Sequence, residues 1–253
     1  MILNKFDLTG KVALVTGAGS GIGQSIAVGF AEAGANIAAV YHTDITETKR
    51  QVTELGREFH AIKADLSKMG SIEPVIKEVL KHYSKIDILV NNAGAIYRQE
   101  ALTYPEVEWD NVMNINIKVL FFFTQAVAKH MIENGIKGNI INIASLMSFQ
   151  GGVFVPAYTA SKSAVKGLTM LLANEWAKYG INVNALAPGW IKTKMTSAIQ
   201  NNEVRNNEIV SRIPAGRWGT SEDFKGPAVF LASEASDYIN GYTIAVDGGF
   251  LGR

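Results

Sequence analysis

The chain has 253 residues, 47% of them hydrophobic, which is enough for one large core. Its 24 basic and 23 acidic residues nearly cancel, and no Lys/Arg-rich run occurs, which speaks against nucleic-acid or membrane-surface binding. There is no cysteine, which excludes disulfides and thiolate sites, and the four histidines lack metal-ligand spacing, so we expect no metal. The N-terminal residues lack the apolar core of a signal peptide, so the sequence predicts a cytoplasmic protein.

Short apolar runs alternate with longer helical patterns along the whole chain. In chain order, the pattern predicts a strand at 12–16, a helix at 22–33, a strand at 36–41, a helix at 46–57, a strand at 60–64, a helix at 69–83, a strand at 86–90, a helix at 106–133, a strand at 139–144, a helix at 158–179, a strand at 182–187, helices at 193–210 and 222–233, and a strand at 242–246. The strands are apolar on both faces, which is typical of a parallel sheet covered by helices on both sides. We therefore expect an α/β fold, a single doubly wound Rossmann-type domain with about seven parallel strands.

A glycine-rich turn joins the first predicted strand to the first predicted helix, with glycines at 17, 21 and 23. Glycines there let the backbone approach a pyrophosphate at a helix N-terminus, although a turn that merely needs left-handed backbone has the same composition. A second polar turn, Asn-Asn-Ala-Gly at 91–94, follows the fourth strand and is either a ligand site or an ordinary turn. Together the two turns predict a dinucleotide site containing Gly17, Ser20, Gly21, Ile22, Gly23, Asn92, Ala93 and Gly94.

The position that distinguishes NAD from NADP lies at the end of the second predicted strand and is occupied by Tyr41. A carboxylate there would bind the ribose hydroxyls of NAD, whereas an arginine would bind the extra phosphate of NADP. No Arg or Lys follows before Lys49, and Ser20 occupies the place in the glycine turn where a basic residue would help. Because a 2′-phosphate has no strong counter-charge here, the sequence favours NAD over NADP.

Tyr158 and Lys162 are four residues apart on a predicted helix, so they share one face and are separated by roughly 6 Å along the axis. A phenol ionises near pH ~10, and a neighbouring ammonium is expected to lower that pKa. Ser145 supplies a hydroxyl that can hold a substrate oxygen. These three residues predict proton transfer on an alcohol oxygen, which is half of an alcohol–carbonyl interconversion; the other half needs a hydride carrier.

Taken together, the motifs resemble the short-chain dehydrogenase/reductase family over the whole chain. The resemblance rests on the order and spacing of the two turns with Asp65, Asn116, Ser145, Tyr158, Lys162, Pro188 and Gly189. It implies one domain over 1–253, with a dinucleotide-binding part at about 10–145 and a catalytic and substrate-lid part at about 145–253. It also implies assembly as a homotetramer, which composition does not show.

The resemblance assigns the catalytic roles to four residues, Asn116, Ser145, Tyr158 and Lys162. Tyr158 would be the general acid/base, Ser145 would orient the substrate oxygen, and Lys162 would also bind the nicotinamide ribose. Asn116 would hold a water that links Lys162 to solvent, although Asn114 nearby has the same chemistry. Further cofactor contacts are implied for the adenine, the adjacent ribose and the nicotinamide carboxamide, at Asp65, Leu66, Asn92, Pro188, Gly189, Ile191 and Thr193.

Four segments, at 148–152, 173–178, 212–219 and 240–249, resemble the sugar-acid branch of the family. Arg98 is the candidate for a substrate carboxylate, because a guanidinium suits bidentate recognition, but it is equally consistent with a solvated loop arginine. Gln150 and Trp190 are candidates for lining the pocket, and 191–219 is expected to form a mobile lid.

The expected function is therefore an NAD-dependent oxidoreductase acting on a sugar acid. A reductase of 3-oxoacyl thioesters would use the same catalytic residues and stays open as an alternative. A non-enzymatic nicotinamide-binding redox sensor is the third hypothesis, and the intact catalytic set argues against it.

Overall fold

The computed structural model describes residues 1–252 and contains one sheet of seven parallel strands in the order β3-β2-β1-β4-β5-β6-β7. The strands are β1 Val12–Thr16, β2 Asn36–Tyr41, β3 Phe59–Lys63, β4 Ile88–Asn91, β5 Asn139–Ile143, β6 Asn182–Pro188 and β7 Thr243–Val246. The predicted fold class and strand number are confirmed, and each strand begins and ends within two residues of its expected position.

Nine α-helices within residues 1–252 cover the sheet. They are α1 Gly21–Glu32, α2 Thr46–Glu54, α3 Ile72–Tyr83, α4 Glu106–Met113, α5 Leu120–Glu133, α6 Pro156–Trp176, α7 Ser197–Gln200, α8 Glu203–Arg212 and α9 Lys225–Ala232. In the same part of the chain, no helix combines the length and the apolar character needed to cross a membrane.

The sheet separates two hydrophobic cores because successive side chains of a strand point to opposite faces. On β1, Ala13 and Val15 pack in the core under α1, α2 and α9, whereas Leu14 packs in the core under α3, α5 and α6. Every residue of β1 is buried. A strand covered on both faces must be apolar throughout, which explains why β1 reads as a continuous hydrophobic run rather than an alternating one.

The strand order changes direction between β1 and β4. The chain proceeds from β1 outward to β3, then returns to add β4 on the other side of β1. In open parallel sheets, ligands bind in the crevice that forms at the carboxyl ends of the strands where this reversal occurs. The glycine turn after β1 and the 91–94 turn after β4 both lie at this crevice.

The helix predicted at 106–133 is interrupted by a π-helical segment, Asn114–Val119, between α4 and α5. Both asparagines of this segment are held by other parts of the chain. Asn114 Nδ2 donates to the carbonyl of Ser67 at 2.6 Å, and Asn116 is bonded to Ala95. These tertiary bonds favour the wider turn, and local helix propensity does not reveal them.

The helix predicted at 193–210 is also divided, into a 3₁₀ turn Lys194–Thr196 followed by α7 and α8. The break has a local cause: the side chain of Asn202 accepts a hydrogen bond from the backbone N–H of Arg205 at 3.0 Å and starts a new helix. As a result, α8 begins at Glu203 and ends at Arg212, two residues later than predicted.

Candidate active site

Tyr158 and Lys162 lie one turn apart in the first part of α6, which begins at Pro156. Proline suits this first helical position because its missing N–H has no helical partner there. The Nζ of Lys162 lies 5.7 Å from the centre of the Tyr158 ring. It also donates a 2.6 Å hydrogen bond to the carbonyl of Ile143 at the end of β5, so the buried ammonium is anchored to the sheet.

The acid–base properties of these two residues are set chiefly by burial. Burial raises the pKa of Tyr158 above its ordinary value, while a hydrogen bond with Ser145 and the charge of Arg98 act in the opposite direction. Burial also lowers the pKa of Lys162 to about 8. The expectation that Lys162 lowers the phenol pKa is therefore wrong for the free protein: the net shift is upward, and the opposing influences come from Ser145 and Arg98.

Ser145 follows β5 and lies beside the phenol of Tyr158. Its backbone is extended, its side chain is 8% exposed, and its Oγ accepts a hydrogen bond from the N–H of Met147 at 3.2 Å. Its hydroxyl also lies on the same pocket wall as the Tyr158 phenol and favours the ionised form of that phenol. A pair of hydroxyl groups on the same wall can bind one alcohol or carbonyl oxygen between them.

Asn116 is almost completely buried and connects two walls of the site. Its Oδ1 accepts from the N–H of Ala95 at 2.8 Å, and its Nδ2 donates to the carbonyl of Ala95 at 2.9 Å and to Ser161 Oγ at 3.0 Å. Ser161 in turn donates to the carbonyl of Tyr158. Asn116 thus ties the loop after β4 to the helix that carries Tyr158, whereas Asn114 points to a different loop.

The glycine turn has the geometry that a pyrophosphate requires. Gly17 and Gly21 have φ of +65° and +57°, in the left-handed region that favours glycine. A Cβ at Gly23 would collide with the side-chain amide of Asn92 and the carbonyl of Gly17. The side chain of Ser20 makes no capping hydrogen bond to α1, and the first turn of α1 has no acidic residue, so its amides suit an anion. These residues fit the phosphates of a dinucleotide.

Asn92 fixes the glycine turn to the neighbouring strand. Its Nδ2 donates to the carbonyls of Thr16 and Gly17 at 3.0 and 3.1 Å. Gly94 is equally constrained, because a Cβ there would lie 3.0 Å from Asn116 Oδ1. The two turns expected to form the dinucleotide site are therefore in direct contact, and through Asn116 they reach the catalytic residues.

The remaining residues expected to contact the cofactor lie at or after the carboxyl ends of β2, β3, β4 and β6. Tyr41 is the last residue of β2, and Leu66 packs in the core under α3. The carboxylate of Asp65 accepts two hydrogen bonds from Ser67, which hold its pKa below the usual range. Thr193 lies opposite Gly21, with its Cγ2 3.6 Å from where a Cβ of that glycine would stand. Of the rest, Ala93 follows β4, Pro188 is the last residue of β6, and Gly189 and Ile191 come directly after it.

A pocket of about 600 Å³ opens beside Tyr158 and Ser145, within the range typical of small-molecule sites. Arg98, Gln150 and Trp190 line it, as the sequence predicts, and Arg98 Nη2 also donates to the carbonyl of Met195 at 3.3 Å. Two further arginines on α8, Arg205 and Arg212, also line it and were not predicted. Their seven-residue spacing predicts that both lie on one face of a helix, but it does not show that this face borders the pocket.

A family model described as enoyl-(acyl carrier protein) reductase matches residues 17–251. The chain belongs to the short-chain dehydrogenase/reductase family. The match contains the whole site described above, and the resemblance inferred from the motifs is confirmed. This short-chain dehydrogenase/reductase is thus a nicotinamide-dependent oxidoreductase.

Relatives within the family are similar over the full chain. A 2-dehydro-3-deoxy-D-gluconate 5-dehydrogenase from Dickeya dadantii is 56% identical over 253 residues, which is all of both chains. A solved structure of a gluconate 5-dehydrogenase from Burkholderia cenocepacia, in complex with NADP and tartrate, is 38% identical with a TM-score of 0.95 and covers all of both chains. A proposed 2-deoxy-D-gluconate 3-dehydrogenase from Agrobacterium tumefaciens with bound NADP is 49% identical, has a TM-score of 0.91, and covers 99% of this chain and 100% of its own.

The two solved structures both contain NADP, and this corrects the expected preference for NAD. The absence of a basic residue beside Tyr41 does not make NADP the less favoured cofactor in this short-chain dehydrogenase/reductase. The physical reason is that Tyr41 carries no charge, so the end of β2 neither repels nor pairs a 2′-phosphate.

Proposed function

We propose that this enzyme is a 2-dehydro-3-deoxy-D-gluconate 5-dehydrogenase, which interconverts the C5 alcohol and ketone of a six-carbon sugar acid. The observation that carries the proposal is the full-length, 56% identity to a relative of that name. The site supports it independently, because the pocket beside Tyr158 carries arginines and, among the described residues that line it, no Asp or Glu. Such a pocket favours an anionic substrate.

In the proposed reaction, Ser145 and Tyr158 hold the substrate hydroxyl, and Tyr158 accepts its proton as general base. A bound nicotinamide supplies the hydride acceptor. Lys162 contributes positive charge beneath the phenol and binds the nicotinamide ribose. Asn116 holds the loop after β4 against the start of α6, and it also holds the relay water. In the reverse direction, Tyr158 returns the proton to the substrate oxygen. Arg98 and Gln150 contact the substrate.

We assign the dinucleotide to the crevice, with its phosphates on the glycine turn and its nicotinamide beside Ile191 and Thr193. In this division, residues of about 10–145 bind the dinucleotide, and those of about 145–253 provide catalysis and the lid. Thr193 faces Gly21 at ordinary van der Waals distance, and the first turn of α1 has no side-chain cap. Both observations support this orientation. We propose that the crevice binds either NAD or NADP, and that Asp65, Leu66 and Tyr41 contact the adenosine of the dinucleotide.

An activity panel tests the proposal. The purified enzyme is assayed with 2-dehydro-3-deoxy-D-gluconate, D-gluconate, 5-keto-D-gluconate and a 3-oxoacyl thioester, each with NAD(H) and NADP(H), by the absorbance of reduced nicotinamide. We expect the highest kcat/KM with the deoxy sugar acid. Highest activity on D-gluconate or 5-keto-D-gluconate would instead support a gluconate 5-dehydrogenase, and highest activity on the thioester would support the alternative reductase. Tight NADH binding without any turnover would support a redox sensor.

A pair of tyrosine variants tests the catalytic assignment. Tyr158→Phe removes the proton acceptor, so we expect kcat to fall by about 10²- to 10⁴-fold while dinucleotide binding, followed by fluorescence, stays within about twofold. Tyr179→Phe, at an exposed position outside the pocket, is the matched control and should behave as the wild type. Unchanged turnover of Tyr158→Phe would contradict the mechanism.

We further propose that the enzyme works in the cytoplasm as a homotetramer. Large apolar side chains stay exposed on the two longest helices, at Phe122 of α5 and at Met170 and Leu171 of α6, and this supports assembly through those faces. Light scattering on the purified enzyme measures the mass directly. A monomer at micromolar concentration would contradict the assembly, and cell fractionation tests the location.

A further inference from the structure

The three arginines of the pocket come from two different elements. Arg98 lies on the loop after β4, whereas Arg205 and Arg212 lie two turns apart on α8. All three are exposed to the pocket or its mouth. A site with three guanidinium groups and no lining carboxylate within the described chain has more positive charge than a single substrate carboxylate needs, so the arginines cannot be equivalent.

Two of the three arginines already have defined interactions. Arg205 forms a 2.8 Å ion pair with Glu208 on the same helix, which offsets its charge. Arg98 donates to the carbonyl of Met195, lines the pocket together with Tyr158 and Ser145, and its charge opposes the upward shift of the Tyr158 pKa. Arg98 therefore acts at the end of the pocket where the hydroxyl is oxidised.

Arg212 differs from both. Its guanidinium carbon lies 4.9 Å from the centre of the Phe250 ring, and it forms no ion pair with any carboxylate of residues 1–252. It lies on α8, whereas Arg98, on the loop after β4, is the arginine whose charge acts on the pKa of Tyr158. Like Arg205, Trp190 and Phe250, it lies at the junction of the main pocket and a second cavity of about 350 Å³, so its ring contact and its charge, rather than its place, set it apart from Arg205.

In the proposed substrate, the carboxylate lies several bonds from the carbon that is oxidised, so the cation that binds it stands away from the reacting carbon. In a 2-keto-3-deoxy sugar acid, four C–C bonds of about 1.5 Å separate the C1 carboxylate from C5, so an extended chain spans about 5 Å. A carboxylate bound while C5 lies against Tyr158 must therefore be held by a group beyond the reacting end. An arginine stacked on an aromatic ring is already oriented, so less rotamer freedom is lost when it binds an anion.

We propose that Arg212 binds the substrate carboxylate and thereby selects sugar acids over uncharged polyols, while Arg98 contacts the reacting end. The proposal rests on the proposed function, because it presumes a carboxylate substrate oxidised several carbons away. It moves the carboxylate contact from the loop arginine to the last turn of α8. Helix α8 is then the element that distinguishes charged from uncharged substrates.

The test compares Arg212→Ala with the wild type on two probes, the sugar acid and its uncharged amide, each followed as substrate or as competitive inhibitor. Loss of a charged hydrogen-bonding partner predicts a fall of about 10- to 100-fold in kcat/KM for the acid, expressed mainly in KM. Binding of the amide should not change. Arg212→Lys keeps the charge but not the bidentate geometry, so it should recover part of the loss.

Asn207→Ala, an exposed position on α8 outside the pocket, is the matched control and should leave both probes unaffected. An Arg212→Ala enzyme that keeps its kcat/KM on the acid overturns the inference and leaves the proposed function intact. Equal losses on acid and amide also overturn it, because they indicate a structural role. A wild-type enzyme inactive on every sugar acid overturns the proposed function itself.

Discussion

The ammonium of Lys162 and the carbonyl oxygen of Ile143 are joined by a 2.6 Å hydrogen bond that connects α6 to the end of β5. Lys162 is only 5% exposed, and this bond satisfies one of its three donors. The lysine therefore occupies a fixed position beneath the Tyr158 ring before any substrate is present. Its charge is destabilised by burial, which makes the site sensitive to pH in a defined direction.

This burial predicts a pH-dependent difference in stability between the wild type and Lys162→Met. The folded-state pKa of Lys162 is about 8, below its ordinary value of 10.5, so its burial opposes folding at neutral pH. Between pH 8 and 10.5 the folded protein has lost this proton while the unfolded chain keeps it. The wild type should therefore gain stability relative to Lys162→Met as the pH rises through this window. Urea unfolding at pH 7 and pH 9.5 measures the difference, and a pH-independent difference would contradict the prediction.

The two asparagines of the π-helical segment should have unequal effects. Asn116→Ala removes the buried amide that pairs with the half-buried N–H and carbonyl of Ala95, so we expect a loss of about 1–3 kcal/mol in the free energy of unfolding and a fall in kcat of at least about tenfold. Asn114→Ala removes one exposed contact to Ser67 and should cost less than about 1 kcal/mol, with normal turnover. Denaturant unfolding and steady-state kinetics of both variants decide the matter. Similar effects of the two would argue against a special role for Asn116.

Gly23→Ala should impair cofactor binding by disturbing the glycine turn. The added Cβ meets the Asn92 amide and the carbonyl of Gly17, and overpacking of this kind costs about 1–3 kcal/mol. Gly70→Ala is the matched control, because nothing lies within 4 Å of its Cβ position and its φ is not positive. Dinucleotide titration by fluorescence should show weaker binding for Gly23→Ala only. Equal affinity in both variants would mean that the turn does not contact the cofactor.

Tyr41→Asp should weaken the use of NADP while leaving the use of NAD nearly unchanged. A carboxylate at the end of β2 pairs with ribose hydroxyls and repels a 2′-phosphate. We expect KM for NADP to rise more than about tenfold, since a like-charge contact costs more than about 1.4 kcal/mol, while KM for NAD changes little. Steady-state kinetics with both cofactors provide the readout. An equal change for NAD and NADP would place Tyr41 away from the adenosine ribose.

The strands and the catalytic helix were predictable because their signals are local. The apolar run of β1 and the four-residue spacing of Tyr158 and Lys162 are both properties of the sequence itself. The upward pKa shift of Tyr158 was not predictable, because it depends on burial by distant segments. The π-helical segment was missed for a related reason, since it depends on bonds from Asn116 to a residue 21 positions away.

The sequence also did not reveal that Arg205 and Arg212 of α8 point into the pocket. Their direction depends on where the helix starts, and that start is set by the side chain of Asn202 rather than by hydrophobic periodicity. The cofactor preference failed because an uncharged residue at Tyr41 gives no electrostatic signal for either dinucleotide.

The π-helical segment lets one extra residue enter the chain without disturbing the core. A π turn holds one residue more than an α turn, so deletion of one residue within Asn114–Val119 would close the segment into regular α-helix while α4 and α5 keep their faces. Phe123 and Val127 would then stay in the core beneath the sheet, and the change would fall on Asn116 and its bonds to Ala95. The extra residue thus serves the active site rather than the fold, and a single-residue deletion here would cost activity before it cost folding.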